Sequence, residues 1–352
     1  MATYKGINGF AVQSLATDPS PLDEGQVWYN NTSYAFKLAT ATTSGTWASG
    51  GSLTLQRYAR TAVGIQTASL LVGGESNNVP GYGYSTQTDL YNGTSWTTSP
   101  GTTPAGRSRS GGAGTQTACI VFAGALGPPG DTTNNTISWN GSSWTSLPAT
   151  LGTAVYDSGS CGTQTAALSV AGGGSAPTYA PVSTTQSYNG STWASAPPTG
   201  NYPNTNLTMG SAGGAPSTAA LVFGGFYGPP QGTTNITSSW NGTSWSAGGN
   251  LNTARAALGG AGASQTLALA FGGSTTGGTP YTTTTELYNG STWTTNPNNM
   301  ANAVQRNAGS GTQSLALSAG GYNANPATDN ASLLCEEWTG PGSPVTKTIT
   351  TS

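Results

Sequence analysis

Apolar and polar residues alternate along this chain in short runs, and the runs recur at a nearly constant interval. The clearest run covers residues 287–293, where apolar residues flank Asn289-Gly290 on both sides. Asn-Gly between alternating residues is a hairpin signal, because both residues accept the positive φ of a type I′ turn. The pattern therefore predicts a strand, a tight turn and a second strand. Related runs surround Asn92-Gly93, Asn140-Gly141, Asn189-Gly190 and Asn241-Gly242.

A tryptophan closes each of these runs, and the spacing of the tryptophans defines an internal repeat. They are Trp47, Trp96, Trp144, Trp193, Trp245 and Trp293, with steps of 49, 48, 49, 52 and 48 residues. A chain of 352 residues ordinarily suggests two or three domains. A fixed period overrides that expectation, because each repeat is then one unit of a single array.

Each repeat contains four strand candidates and no helical periodicity. The first is small and glycine-rich, as in residues 308–310, and the second is apolar, as in residues 118–122. A Thr/Ser-rich third strand, the Asn-Gly turn and a Trp-bearing fourth strand follow. Four antiparallel strands in about 49 residues is the size of a β-propeller blade. The turn between the first two strands contains a recurrent glutamine, at Gln66, Gln116, Gln164, Gln265 and Gln313.

A diglycine or its Ala-Gly variant ends the apolar strand in six places, which implies six blades. A diglycine, then an aromatic residue and then a Trp across a hairpin resembles the kelch repeat, although the Tyr-to-Trp turn here is shorter. The resemblance implies an all-β fold, a six-bladed kelch-like β-propeller of four-stranded antiparallel blades. A galactose-oxidase-like sheet would give the same pattern. An open β-solenoid is the alternative, but its repeats are usually shorter.

The two ends of the array complement each other. The last unit reaches Trp338 in the usual Tyr position, with no Trp-bearing strand after it, whereas residues 44–47 are a fourth strand without a blade before it. Pairing the two would complete six blades and remove the exposed edges. Residues 345–350 also alternate, and they either compete for this position or add a strand outside it, but we favour the Trp47 strand. The propeller is therefore predicted to cover residues 45–352.

Residues 1–44 do not fit the repeat and are predicted to contain a β-hairpin with its turn at Asn30-Asn31. This segment could simply cap one end of the array. Residues 25–30, Gly-Gln-Val-Trp-Tyr-Asn, and the following Lys37 resemble the start of many fibre and appendage proteins of tailed bacteriophages. The resemblance implies a segment that docks to other virion proteins.

Composition excludes several classes of function. Charged residues are 6% of the chain and the formal net charge is −2, without a Lys/Arg cluster, so no nucleic acid partner is expected. No apolar run approaches the roughly 18 residues of a membrane span, and residues 1–6 lack the apolar core of a signal peptide. Histidine is absent, which removes the commonest metal ligand and general base. We expect no cofactor and no metal.

The cysteines and carboxylates do not form a catalytic set. Cys119 and Cys335 are expected as small buried residues, and a Cys119–Cys161 disulfide stays open. Glycoside hydrolysis needs two facing carboxylates. Asp89, Glu286 and the pair Glu336–Glu337 occupy equivalent third-strand positions, and we expect them to be solvated charges that do not converge. The remaining acids of the repeats are Glu75, Asp131, Asp157 and Asp329.

The loops differ between the two faces of such an array. The turns between strands one and two and between three and four are short and nearly identical, whereas the loops between strands two and three are long and dissimilar. Rigid loops with aromatic rings suit recognition of sugars or proteins, although these rings could instead cover the blades. The long loops are residues 75–85, 125–134, 175–183, 226–235, 274–283 and 322–330. The candidate binding residues are Tyr82, Tyr84, Tyr156, Tyr179, Tyr202, Phe226, Tyr227, Tyr281 and Tyr322.

These observations predict a non-enzymatic structural protein of a tailed-bacteriophage virion. We expect a tail-fibre or appendage component that contributes to recognition of a host-surface glycan or protein. Such a chain would assemble in the host cytoplasm and be exposed on the particle exterior. The alternatives are a secreted carbohydrate-active propeller enzyme or lectin, a capsid decoration protein and an intracellular kelch adaptor.

Overall fold

The structure is a computed structural model that describes residues 12–20, 25–41, 44–76, 83–127, 131–176, 179–212, 217–227, 232–323, 331–342 and 344–349. The chain forms two compact units, one of Met1–Thr46 with Thr339–Ser352 and the other of Trp47–Trp338. Over the described ranges the fold is all-β with one short 3₁₀ helix, Pro198–Gly200, and contains no α-helix.

The larger unit contains four-stranded sheets, numbered here in chain order with their strands given from first to fourth. Sheet 1 contains Thr61–Ile65, Ala68–Val72, Thr88–Tyr91 and Trp96–Thr98. Sheet 2 contains Gly111–Gly114, Cys119–Phe122, Asn135–Trp139 and Trp144–Thr150. Sheet 3 contains Gly159–Thr163, Ala166–Gly173, Pro181–Tyr188 and Trp193–Ser195.

The remaining sheets follow the same order, and the pairing in sheets 1 to 5 is antiparallel throughout. Sheet 4 contains Gly210–Ala212, Ala220–Phe223, Thr237–Trp240 and Trp245–Ala247. Sheet 5 contains Gly259–Ser264, Leu267–Phe271, Thr285–Tyr288 and Trp293–Thr295. Sheet 6 contains Ala308–Gly311, Leu315–Ala319, Cys335–Thr339 and Thr46–Ser49. The strand with Trp47 thus takes the fourth position of sheet 6.

Two short sheets accompany them. One contains Arg107–Ser108, Ala125–Leu126 and Asp131–Thr132, and the other contains Glu75–Ser76 and Gly83–Tyr84.

The first strands are glycine-rich because they pack closely against one another. Each first strand contacts that of the next sheet, and the first strand of sheet 6 contacts that of sheet 1. A Cβ atom on Gly309 would lie 2.4 Å from the carbonyl oxygen of Gly260, and one on Gly260 would lie 2.6 Å from that of Ser211. Larger residues would force these strands apart. The apolar second strands of each sheet are almost entirely buried.

The fourth-strand tryptophans pack between neighbouring sheets, as the repeat predicts. Five of them donate their indole N–H to a threonine hydroxyl on the third strand of the preceding sheet. This bond fixes each ring and satisfies its one polar atom. The pairs are Trp47–Thr285, Trp144–Thr88, Trp193–Thr136, Trp245–Thr185 and Trp293–Thr237, at Nε1–Oγ1 distances of 2.8–2.9 Å.

Trp96 is the exception. The equivalent third-strand position of sheet 6 is Cys335, and both residues belong to one buried cluster. The Trp96 Nε1 atom is buried without a hydrogen-bond partner. Burial raises the pKa of Cys335 to about 12, against a smaller opposing effect of the Trp96 indole. A thiol is a weak acceptor, so this interface lacks a bond that the other five have.

We therefore expect Cys335→Thr to raise the free energy of unfolding by about 0.5–1.5 kcal/mol, the usual net contribution of one hydrogen bond. Chemical denaturation of the two proteins measures the difference. Cys335→Val is the matched control, because valine has the shape of threonine without the hydroxyl. Equal stability of the Thr and Val variants would contradict the prediction.

The recurrent glutamines also connect neighbouring sheets. The side-chain Nε2 of Gln116 donates to the carbonyl oxygens of Ser69 and Tyr91 in sheet 1, at 3.0 and 2.6 Å. Gln164 reaches Cys119 and Trp139 of sheet 2 in the same way. Gln66 bonds to sheet 6 and Gln313 to sheet 5, again through two backbone carbonyls each. Through these glutamines, the turn between the first and second strands is bonded to the preceding sheet.

The predicted type I′ turn is wrong. Tyr288 pairs directly with Trp293, so the turn has four residues, and only Gly290 has positive φ, at 94°. The Asn289 Oδ1 accepts hydrogen bonds from the backbone N–H groups of Ser291 and Thr292, at 3.0 and 2.8 Å. This side-chain mimicry of a turn lets asparagine keep a negative φ. The other four Asn-Gly turns have the same bonds.

The expectation that Asp89, Glu286 and Glu336 are solvated is also wrong, because all three are buried. Asp89 forms an ion pair with Arg57, and Glu286 with Arg255 at 2.8 Å. Glu336 instead accepts hydrogen bonds from the backbone N–H groups of residues 301 and 302. Each carboxylate therefore bonds to the segment that leads from the preceding sheet into the first strand of its own sheet, here called a link.

The smaller unit contains one four-stranded sheet of Gln13–Leu15, Val27–Asn30, Ala35–Ala41 and Pro344–Thr348. The predicted hairpin is present, with Asn30 opposite Ala35. The first strand is parallel to the second, and the C-terminal strand pairs with Ala35–Ala41. The alternation of residues 345–350 offered this strand as a competitor for the last propeller position, but it completes the sheet of the N-terminal segment. Trp28 is fully buried and donates its indole N–H to Asp18.

All three cysteines are free and buried, so the Cys119–Cys161 disulfide is absent. Burial raises the pKa of Cys161 to about 12, which keeps this thiol protonated and unreactive near neutral pH. Over the described ranges, no helix is long and apolar enough to span a membrane.

Candidate functional site

The long loops are fixed at their roots. In each sheet except sheet 2 the link into the first strand forms backbone bridges with the residue that starts the long loop, as at Tyr58–Glu75, Tyr156–Gly173 and Gln305–Tyr322. Sheet 2 has the short three-stranded sheet of Arg107–Ser108 instead. Several candidate tyrosines therefore lie in paired backbone next to the links, and not at free loop tips.

Six residues, each two positions before a first strand begins, form a cycle of backbone hydrogen bonds, here called the axial ring. Each N–H donates to the carbonyl oxygen of the preceding member, and Ala59 donates to Arg306, which returns the cycle to its start. The six N–O distances are 2.7–3.2 Å. All six residues have φ between 52° and 57°, the left-handed region. The members are Ala59, Arg109, Asp157, Thr208, Ala257 and Arg306.

Charged side chains of the axial ring form two ion pairs. The Arg109 guanidinium bonds both Glu75 carboxylate oxygens, with Nε–Oε1 at 2.6 Å and Nη2–Oε2 at 3.3 Å. Arg306 pairs with Asp157 at 3.3 Å. Asp157 and Arg306 are three steps apart in a cycle of six, so this ion pair spans the ring from one side to the other.

The ion pair of Arg109 with Glu75 holds both of its groups in the charged state. Burial opposes ionisation of Glu75, but the hydrogen bond and charge of Arg109 outweigh it and lower the pKa of Glu75 below its usual value. Burial likewise opposes the charge of Arg109, but Asp157 and Glu75 outweigh it and raise its pKa. A general acid needs a carboxyl group that carries a proton near neutral pH, and Glu75 is held ionised instead.

Aromatic rings flank these charges. The Arg109 Cζ lies 5.9 Å from the centroid of the Tyr156 ring, within the range of a cation–π contact. On the other side Tyr322 packs against Tyr58 at 5.2 Å and against Tyr281 at 6.1 Å between ring centroids. Burial, followed by the negative charge of Glu75, raises the pKa of Tyr58 above its usual value, so its hydroxyl stays protonated.

Two cavities lie along the first strands. The smaller has a volume of about 120 Å³ and is lined by the axial ring residues and the residue that follows each of them. The larger, of about 390 Å³, is lined by the first strands of all six sheets. Three of the four ion-paired residues, Arg109, Asp157 and Arg306, thus line the smaller cavity. We call the ion pairs, the flanking tyrosines and this cavity the axial mouth.

The structure brings only some of the predicted residues together. Tyr156, Tyr281 and Tyr322 flank the axial mouth, and Tyr84 pairs with Glu75 through the backbone. Tyr179 is exposed, whereas Phe226 and Tyr227 are half-buried. Tyr202 is 1% exposed and packs on Trp245 at 5.1 Å, so it belongs to the core and cannot stack on a ligand. Tyr82 lies outside the described residues.

Comparison with known proteins gives no match, either to a protein-family model or among curated proteins. The residues of the axial mouth are therefore interpreted from their geometry alone. In the part of the chain that the structure describes, no group of three or more His, Cys, Asp or Glu residues could hold a metal ion.

Sequence reasoning missed Tyr58, Arg109, Asp157 and Arg306 as members of one site. One signal was present, since three of the few charged residues of the chain occupy the same repeat position, two residues before a first strand. Aligning the repeats at that position would have selected them. The mouth presents hydrogen-bond donors, hydrogen-bond acceptors and aromatic faces in fixed positions. This combination is typical of a binding site.

Proposed function

We propose that the six sheets of the larger unit are the blades of a closed, kelch-like six-bladed β-propeller. The cycle of hydrogen bonds in the axial ring supports this, as do the cyclic contacts of the first strands. The Trp–Thr hydrogen bonds connect the sheets in the same cyclic order. The Trp47 strand completes sheet 6, and its indole donates a hydrogen bond to sheet 5. In such a ring every sheet has two neighbours.

The chain serves, in this proposal, as a non-enzymatic recognition component of a tailed-bacteriophage tail fibre or appendage. The observation that carries the recognition role is the axial mouth, where two ion pairs lie beside tyrosine rings and three of the four paired residues line a cavity. The long loops and the links lie on that face by topology, because both connect the same ends of the strands. The opposite face has the repeated Asn-Gly turns.

The smaller unit is the attachment segment of this proposal. It is compact by itself and combines both chain termini. Its sheet exposes apolar side chains that a partner protein could cover: Tyr34 is 80% exposed, Phe36 48% and Ile349 46%. Exposed apolar groups of this kind mark interaction surfaces. Other virion proteins are the partners that the phage-like N-terminal motif favours.

Replacing Tyr281 with alanine tests the recognition role. We expect the adsorption rate of particles with this variant to decrease about tenfold, equivalent to about 1.4 kcal/mol of binding free energy. Stability should change by less than about 1 kcal/mol, since Tyr281 is only half-buried at a loop root. Adsorption kinetics and thermal unfolding measure the two effects.

Ser143→Trp provides the control on the opposite face, beside the exposed Asn140-Gly141 turn. This variant should adsorb normally. If it abolishes adsorption while Tyr281→Ala leaves it intact, the recognition face is the one with the Asn-Gly turns and the proposal is wrong.

A further inference from the structure

The axial ring is built from residues that its backbone conformation disfavours. The left-handed region costs a non-glycine residue roughly 1 kcal/mol or more, whereas glycine enters it freely. The chain contains 53 glycines, yet none of the six ring positions has one. Arg109, Asp157 and Arg306 instead occupy three of them. Disfavoured backbone that is retained in this way points to a function of the side chains.

The charges of the two ion pairs balance one another, and Arg60, which also lines the small cavity, donates from its guanidinium to the carbonyl oxygen of Arg57. Two guanidinium groups face two carboxylates, and all four side chains are partly exposed, at 28% for Arg109, 12% for Glu75, 23% for Arg306 and 10% for Asp157. The charges of these two ion pairs sum to zero, so they attract neither an anionic nor a cationic ligand. A ligand that both donates and accepts hydrogen bonds would use both kinds of group at once.

The rest of the axial ring is small and mostly apolar. Sheets 4 and 5 contribute Thr208, Met209, Ala257 and Leu258 to the small cavity. The part of the mouth that sheets 4 and 5 form therefore offers apolar surface beside the ion pairs. The cavity of about 120 Å³ is small beside the roughly 300–1,000 Å³ that holds a drug-sized ligand. It limits the part of a ligand that enters it to about one ring.

We propose that the axial mouth binds a single pyranose ring of a neutral sugar, the terminal unit of a longer glycan. Sugar hydroxyls would donate to Glu75 and Asp157 and accept from Arg109 and Arg306. The C–H face of the ring would lie against Tyr156 or the apolar side of the mouth, since aromatic and apolar surfaces supply most of the contact area in such sites. This inference rests on the proposed recognition function and narrows it to one site and one ligand class.

Saturation-transfer NMR and calorimetry on the purified full chain test the inference. The probes are the methyl α-pyranosides of glucose, galactose and mannose, with glucuronate and galacturonate for comparison. We expect at least one neutral glycoside to bind and to bind more tightly than both acids. If no neutral glycoside binds, or if an acid binds more tightly, the inference is overturned.

Asp157→Asn is the decisive variant, because asparagine keeps the shape and tolerates the left-handed backbone. It should weaken binding of the neutral glycoside at least tenfold. Asp131→Asn is the matched control at an exposed acid outside the mouth, and it should bind like the wild type. Glu75→Gln is a second variant in case Asp157→Asn fails to fold, and the same loss is expected. Binding at wild-type strength by the folded variants would overturn the inference.

Particle adsorption separates this inference from the recognition function on which it rests. If Tyr281→Ala impairs adsorption but no glycoside binds, the sugar site is wrong and the recognition face stands. If a neutral glycoside binds and Asp157→Asn abolishes this binding, the sugar site stands. If, in addition, particles with Tyr281→Ala and particles with Asp157→Asn adsorb normally, the result contradicts the role in host attachment and leaves the sugar site in place.

Discussion

Replacing Trp293 with alanine should lower the free energy of unfolding by about 3–5 kcal/mol, the usual cost of truncating a buried aromatic residue. The Trp293 ring is 5% exposed and packs against Phe223 of sheet 4 and Tyr288 of its own sheet, with centroid distances of 4.8 and 5.0 Å. Its removal would open a cavity between two sheets and leave the Thr237 hydroxyl without its indole donor. Denaturant unfolding followed by circular dichroism measures the change.

Trp293→Phe is the matched control. Phenylalanine keeps most of the apolar contact and loses the hydrogen bond to Thr237, so its cost should be closer to about 1–2 kcal/mol. A change within error of zero for Trp293→Ala would mean that the tryptophans do not hold neighbouring sheets together.

Replacing Glu286 with glutamine should also cost about 3–5 kcal/mol, because it leaves the Arg255 charge buried without its partner. Both side chains are fully buried, and the Glu286 carboxylate additionally accepts the backbone N–H of Asn252 at 2.7 Å. Arg255 still bonds to the carbonyl oxygens of Gly272 and Thr284, but neither of these carries a full charge. Chemical denaturation of the single variant measures the loss.

The double variant Arg255→Met with Glu286→Leu should recover most of that stability, since a buried ion pair is often no better than an apolar pair of similar size. A double variant that is less stable than Glu286→Gln would show that the pair itself stabilises the link.

The repeat made much of the fold predictable, because strand order and register depend on local signals. Alternation around each Asn-Gly and the apolar second strands indicated the four strands of each sheet. The same signals did not distinguish turn types, since Asn289 uses its side chain in place of a positive φ. They also did not show where the third-strand carboxylates point. A buried arginine about 32 residues earlier in the chain is needed to explain Asp89, and period-2 alternation contains no such information.

The candidate site was only partly predictable for a related reason. Aromatic residues in dissimilar loops are visible in the sequence, and three of them do flank the axial mouth. The ion pair of Arg306 with Asp157 joins residues 149 positions apart. The two residues come together because the links form a cycle, and no local sequence pattern predicts this. Tyr202 shows the converse error, because its position in a link does not reveal whether a ring faces solvent or the core.

The composite nature of sheet 6 affects the order in which the chain can fold. Its fourth strand, Thr46–Ser49, is synthesised first among the sheets of the larger unit, and its partner Cys335–Thr339 is synthesised last. At about 5–20 residues per second, the interval on a ribosome is on the order of 15–60 s. During that time Trp47 lies on an unpaired edge, a known point of entry for aggregation. Sheets 1 to 5 can form as they emerge, whereas the final interface has to wait until Cys335–Thr339 has been synthesised.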